Sequence, residues 1–126
     1  MVLLNSVHYS NTVRRPDTLI SSRGRFFCML PTMAKLDEAA IRSAVAALPG
    51  WALEGAAIRR QYTLASFPDA IAFVTRLAFD AEAADHHPDI LINYKRVTLT
   101  YSTHSEGGLT QKDFDGARTA DRLARV

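Results

Sequence analysis

From Leu36 to the C-terminus the apolar residues recur with two alternating periods, and the period changes where the chain meets proline, glycine or small polar residues. Asp37 is placed to cap a helix, with Leu36 and Ile41 on either side as a hydrophobic staple. Ile41, Ala44, Val45 and Leu48 then share one helical face, and Pro49-Gly50 ends it. The stretches WALEG and AIRRQYTLA read as two strands joined by a tight turn near Gly55. In SFPDAIAFVTRLAFDAEAADHH, Phe67, Ala70, Ile71, Val74, Leu77, Ala78 and Ala81 recur at three-four spacing, which predicts a long helix started by Ser66 or Asp69. Pro88 disfavours helical backbone at His87, so this helix ends near Asp85 or His86. ILINY is a short extended piece. In RVTLTYST, Val97, Leu99 and Tyr101 alternate with Thr98, Thr100 and Ser102, as in a strand with one buried face. After the loop HSEGG, Thr110 opens a last helix whose inward face is Phe114, Ala117, Ala120 and Leu123.

The order α-β-β-α-β-β-α with short links favours antiparallel neighbours. It predicts an α+β domain in which three helices pack on one face of a four-stranded antiparallel sheet.

Residues 1–32 have neither period, are rich in Ser, Thr and Arg, and stop just before Met33. They read as an N-terminal extension, disordered or created by a start assigned upstream of Met33, with an Arg-rich targeting leader as a further reading. The domain is expected over 33–126, and His8 is given no role. The extension carries a net +3 and leaves the other 94 residues at −1, so the folded part lacks the basic face of a nucleic-acid binder. No run approaches the roughly 18 apolar residues of a membrane span, and the single cysteine, Cys28, cannot form an internal disulfide. A reducing compartment such as the cytoplasm fits that cysteine usage.

The candidate chemistry is in the histidines. His86 and His87 stand at the C-terminal end of the long helix, where the helix dipole and Glu82, Asp85 and Asp89 favour positive charge. His104 follows the last strand, and in an antiparallel sheet a strand end can approach the end of a packing helix. Three imidazoles near one concave spot would supply general acids and bases for work near neutral pH. On spacing alone a His-His pair at a helix end is more often a solvated cap than a site, and Thr110-x-x-Asp113 has a structural reading as a capping box. Zinc is disfavoured, because adjacent extended residues point to opposite sides and no His-x3-His or Cys pair is present. Trp51 reads as core.

Three motifs occur in order: Asp85-His86-His87-Pro88, Y-x-x-V-x-L-x-Y-S-T-H from Tyr94 to His104, and GGLT-x-x-D from Gly107 to Asp113. With LPGW at 48–51 and F-x-x-A-x-x-F-x-x-x-x-A from Phe67 to Ala78, they resemble the pterin-4a-carbinolamine dehydratase family over roughly 34–126. The resemblance implies removal of water from 4a-hydroxytetrahydropterin to give quinonoid dihydropterin, in recycling the cofactor of aromatic amino acid hydroxylases. It implies no metal or organic cofactor, a homodimer or homotetramer, and possible partnership with such a hydroxylase. Carried over by position, His86, His87 and His104 are the catalytic and pterin-contacting histidines. Pro88, Thr103, Ser105 and Glu106 line the pterin, and Glu82, Asp85 and Asp113 support the site. Asp89-Ile90 departs from the Glu-Trp of many members and alters the wall beside the pterin. The family resemblance also includes non-catalytic members, so a dimerisation or assembly module, acting as transcriptional coactivator or enzyme assembly factor, is the alternative.

Overall fold

The computed structural model describes residues 2–4 and 34–125. The expectations for His8, Cys28, Met33 and most of the extension lie outside these residues. The elements run β1 (Val2–Leu4), α1 (Glu38–Ala46), β2 (Ala52–Glu54), β3 (Ala57–Thr63), α2 (Phe67–Ala83), β4 (Asp89–Asn93), β5 (Arg96–Tyr101), a 3-10 turn (His104–Glu106) and α3 (Gln111–Ala124). The four strands and three helices expected of the body are all present. β2 to β5 form an antiparallel sheet in the order β4-β5-β3-β2, and β1 adds a fifth strand beside β4, pairing Val2 with Ile92 and Leu4 with Ile90. The alternation signal gave no hint of β1, since three residues are too few to display a period.

The hydrophobic pattern fixes which side of the sheet carries the helices. Ile58, Tyr62, Ile90, Ile92, Val97, Leu99 and Tyr101 share the inner face by register, and all are buried. Thr98 departs from the expected one-sided pattern: it is only 5% exposed, on the opposite face, where the side chain of its cross-strand neighbour Gln61 donates to its hydroxyl at 3.4 Å. In α2 the buried arc is Ala70, Phe73, Val74, Leu77 and Ala81. It is rotated from the expected stripe, so that Phe73 is inside while Phe67 and Ile71 are exposed. Full burial of side chains the size of Phe73 and Leu77 contributes about 2 kcal/mol each. The Asp37 and Ser66 caps form as their spacing predicts, accepting from the N–H groups of Ala40 and Asp69. No helix among the described residues is long and apolar enough to cross a membrane.

One carboxylate ties α3 to the opposite end of the sheet. Asp121 Oδ1 accepts from Trp51 Nε1 at 3.0 Å, from Arg60 Nη1 at 2.9 Å and from the Tyr62 hydroxyl. Arg60 also donates to the Pro49 carbonyl at 2.8 Å. Its guanidinium lies 2.8 Å from where a Cβ would sit at Gly50, whose φ of +89° is itself a backbone that favours glycine. The Pro-Gly-Trp turn that ends the first helical segment is thereby bolted to β3 and α3. Burial first, and then the hydrogen bond to Asp121, hold the Tyr62 phenol far above its usual value of 10.0. Burial, then the charges of Asp113 and Asp80, do the same for Tyr101.

Replacing Asp121 by alanine leaves three donors without their acceptor and is expected to cost on the order of 3 kcal/mol. The measurement is a urea midpoint, followed through the emission of Trp51, the single tryptophan of the chain. The folded state also keeps two phenolic protons that the unfolded chain releases above about pH 10. Stability therefore falls as pH rises beyond that point, by up to about 1.4 kcal/mol per pH unit for each phenol. Denaturant midpoints taken from pH 9 to 11 should fall less steeply in Tyr62→Phe than in the parent; equal slopes would contradict the assignment.

Candidate active site

The C-terminus of α2 places the first histidine. Helical geometry continues to the cap at Ala84, and Asp85 then turns into the left-handed region with φ of +49°. The Asp85 N–H donates to the Glu82 carbonyl at 3.1 Å and the His86 N–H to the Ala81 carbonyl at 3.0 Å, the paired bonds of a Schellman ending. Aspartate tolerates this backbone better than most residues. The reversal turns the chain off α2, and the buried Pro88 leads it into β4. The β4–β5 ladder ends at Asp89 opposite Thr100. His86 and Thr103 both lie just beyond this end of the ladder, and both reach the same carboxylate of α3. In this way the helix end and the strand end are brought to one corner.

Asp113 joins them. It is the third residue of α3 and is fully buried. Its Oδ1 lies 2.6 Å from His86 Nε2, and its Oδ2 accepts from the Thr103 hydroxyl at 2.8 Å and from the Thr110 N–H at 2.9 Å. That last bond is the aspartate half of the expected capping box. Thr103 donates its only hydroxyl proton to Asp113, so it accepts from the Thr110 hydroxyl at 2.9 Å. A buried carboxylate in apolar surroundings is tolerated because all these donors converge on it. Because a carboxylate only accepts, it selects the His86 tautomer whose Nε2–H donates to Asp113, which leaves Nδ1 as the ring nitrogen open to another partner.

The other candidates are placed differently. His87 is more open, its Nε2 2.7 Å from Glu82 Oε2 on the last turn of α2. His104 is exposed at the start of the 3-10 turn, with Nε2 3.3 Å from the Ser102 hydroxyl. Ser105 and Glu106 are exposed on the same turn. Gly107 closes it with φ of +67°, and Thr103 and Gly108 then bridge back to back. Thus His86, Thr103 and Asp113 share one buried network and His87 pairs with Glu82. None of these contacts joins one imidazole to another. Among the described residues no cluster of three or more His, Cys, Asp or Glu side chains is arranged to hold a metal ion.

Sequence reasoning passed over two neighbours of His86. The Tyr101 ring stacks on the imidazole at a centroid separation of 5.8 Å and 20° between planes. Gly116 sits in the interior of α3, where glycine costs about 1 kcal/mol relative to alanine; that cost is the signal that could have singled it out. Between α2 and α3 lies a cavity of about 160 Å³, lined by His86 and Tyr101 with Asp80, Ala84, Lys112 and Gly116. His87 and His104 do not border it.

The model of the family "Pterin 4 alpha carbinolamine dehydratase" matches residues 34–123. A Roseiflexus sp. protein is 52% identical over 89 residues, spanning 71% of this chain and 96% of its own length. One from Chloroflexus aurantiacus is 54% identical over 91 residues, spanning 72% and 98%. Both bear the name pterin-4-alpha-carbinolamine dehydratase provisionally. Among solved structures, a transcriptional coactivator/pterin dehydratase from Brucella melitensis superposes with a TM-score of 0.69 at 38% identity, covering 71% of this chain and 98% of that one. By the family model and by these relatives, this chain belongs to the pterin 4 alpha carbinolamine dehydratase family.

Proposed function

We propose that the protein removes water from a 4a-hydroxytetrahydropterin to give the quinonoid dihydropterin, with His86 and His104 as the proton-transferring pair. The observation that carries this reading is the contact of His86 with the buried carboxylate of Asp113, 2.6 Å long. By accepting from Nε2 the carboxylate orients the ring and leaves Nδ1 available to act as the base. In the reaction N5 of the carbinolamine gives up its proton to His86 Nδ1. The electron pair released at N5 forms the N5–C4a double bond, and the C4a–O bond breaks. The departing hydroxyl takes a proton from His104 and leaves as water. His104 opens to solvent, through which the two histidines return to their starting states. His87, held by Glu82, contacts the pterin, while Pro88, Thr103, Ser105 and Glu106 line it, and Asp85 and Asp113 support the site. Recycling of the pterin for an aromatic amino acid hydroxylase, and work in the cytoplasm as a homo-oligomer, are parts of the same proposal. The exposed Phe67, Ile71 and Phe79 on α2 fit such self-association.

A second reading is a non-catalytic coactivator or assembly module. Its coactivator form is favoured by the Brucella neighbour, whose name joins transcriptional coactivator with pterin dehydratase. The three histidines distinguish the readings, because a module that works by contact alone does not need them.

General acid or base assistance contributes about 10²- to 10⁴-fold. His86→Ala and His104→Ala are each expected to lower kcat by about 10²-fold with small changes in KM, followed as loss of the 4a-carbinolamine absorbance. His87→Ala should act mainly on KM. Turnover at the parent rate in the triple histidine variant would overturn the roles given to the histidines, whereas a parent protein no faster than buffer would sink the enzyme reading and leave the module.

A further inference from the structure

We propose that Tyr101 and Gly116 are positioning residues that set the plane of the His86 ring. The inference rests on the reading of His86 as a proton-transferring group. A single hydrogen bond from Nε2 to Asp113 fixes one point of the imidazole, and the ring can still swing about that contact. Whether Nδ1 meets the N5 proton depends on this swing. Tyr101 removes it by presenting a nearly parallel face to the imidazole at 5.8 Å and 20°.

Tyr101 is itself held from two further sides. The Trp51 ring packs on it at 5.9 Å, tilted by 49°. On the side of α3, a Cβ at Gly116 would lie 2.6 Å from Tyr101 Cε1, 2.7 Å from Cζ and 3.1 Å from the hydroxyl oxygen, closer than real Cβ atoms approach. The phenol therefore lies where it does only because position 116 has no side chain. Asp113 and Gly116 are three residues apart, on one face of α3. One turn of helix thus supplies both constraints on His86, a hydrogen bond in the plane of the ring and clearance for the ring that packs on its face. The Tyr101 side chain also borders the cavity between α2 and α3. The aromatic face is the part that acts, and the oxygen is dispensable.

The test combines turnover with the ring-nitrogen NMR resonances of the histidines. In Gly116→Ala the added methyl displaces the phenol, and kcat should fall about 10-fold with KM within about 2-fold. The His86 resonances should move while those of His87 and His104 stay. Tyr101→Phe, which keeps the ring, should retain most of kcat, and Tyr101→Leu should lose about as much as Gly116→Ala. The double variant Gly116→Ala with Tyr101→Leu should be no worse than Tyr101→Leu alone, because both act through one contact. Unmoved His86 resonances in Gly116→Ala, or losses that multiply in the double variant, would overturn the inference. If the parent protein shows no turnover at all, the dehydratase reading fails, and the resonances still decide whether Tyr101 and Gly116 hold the ring.

Discussion

The buried carboxylate of Asp113 is the constraint on which the rest of this corner depends. An ionised group at 0% exposure is stable only if its lone pairs are satisfied, and each donor that satisfies it comes from a different part of the chain. Thr103 comes from the end of β5, Thr110 from the cap of α3, and His86 from beyond α2. The need to solvate one charge therefore fixes a helix end, a strand end and a helix start relative to one another. The same contacts that make the carboxylate tolerable orient the imidazole, so stability and chemistry draw on one set of bonds.

A second anchor with the same design stands at the other end of α3. Asp121 collects Trp51, Arg60 and Tyr62, which come from the Pro-Gly-Trp turn and from β3. The two anchors are connected through aromatic packing: Trp51 touches Tyr101, and Tyr101 touches His86. Helix α3 is thus pinned by a carboxylate near each end, with Gly116 between them where the tyrosine needs room. Rigid support of this kind is what a histidine on a chain reversal requires, since loop backbone alone does not hold a ring to within a few tenths of an ångström.

Much of this was legible in the sequence, and the parts that were not have identifiable causes. Caps, turn residues and alternation are local signals, so Asp37, Ser66, Pro49-Gly50 and the β5 pattern located their elements. The face of α2 was misjudged because Phe67 and Ile71 extend the apolar stripe by composition alone. Their exposure is decided by tertiary packing, which no local window contains. The histidines were found by type and clustering, but their different surroundings were not: His86 in a buried network, His87 and His104 at the surface. Asp113 was legible as a capping residue and, through the family likeness, as support for the site. That the capping carboxylate also contacts His86 follows only from three-dimensional packing. Gly116 left a readable trace, a glycine inside an amphipathic helix, but its meaning required seeing Tyr101 against it.

The added edge strand differs from the other four in how it is held. Val2–Leu4 offers three residue pairs to β4, and Leu4 meets Ile90 across a sequence separation of 86 positions. Ordering three residues against one neighbour only returns little against the backbone entropy it costs, about 1–2 kcal/mol per residue. β1 therefore belongs among the segments that open on their own, without the cooperative loss of the core. Each opening uncovers the outer amides of β4 to deuterium while β5 and β3 remain protected, so the sheet has a graded edge and a firm centre.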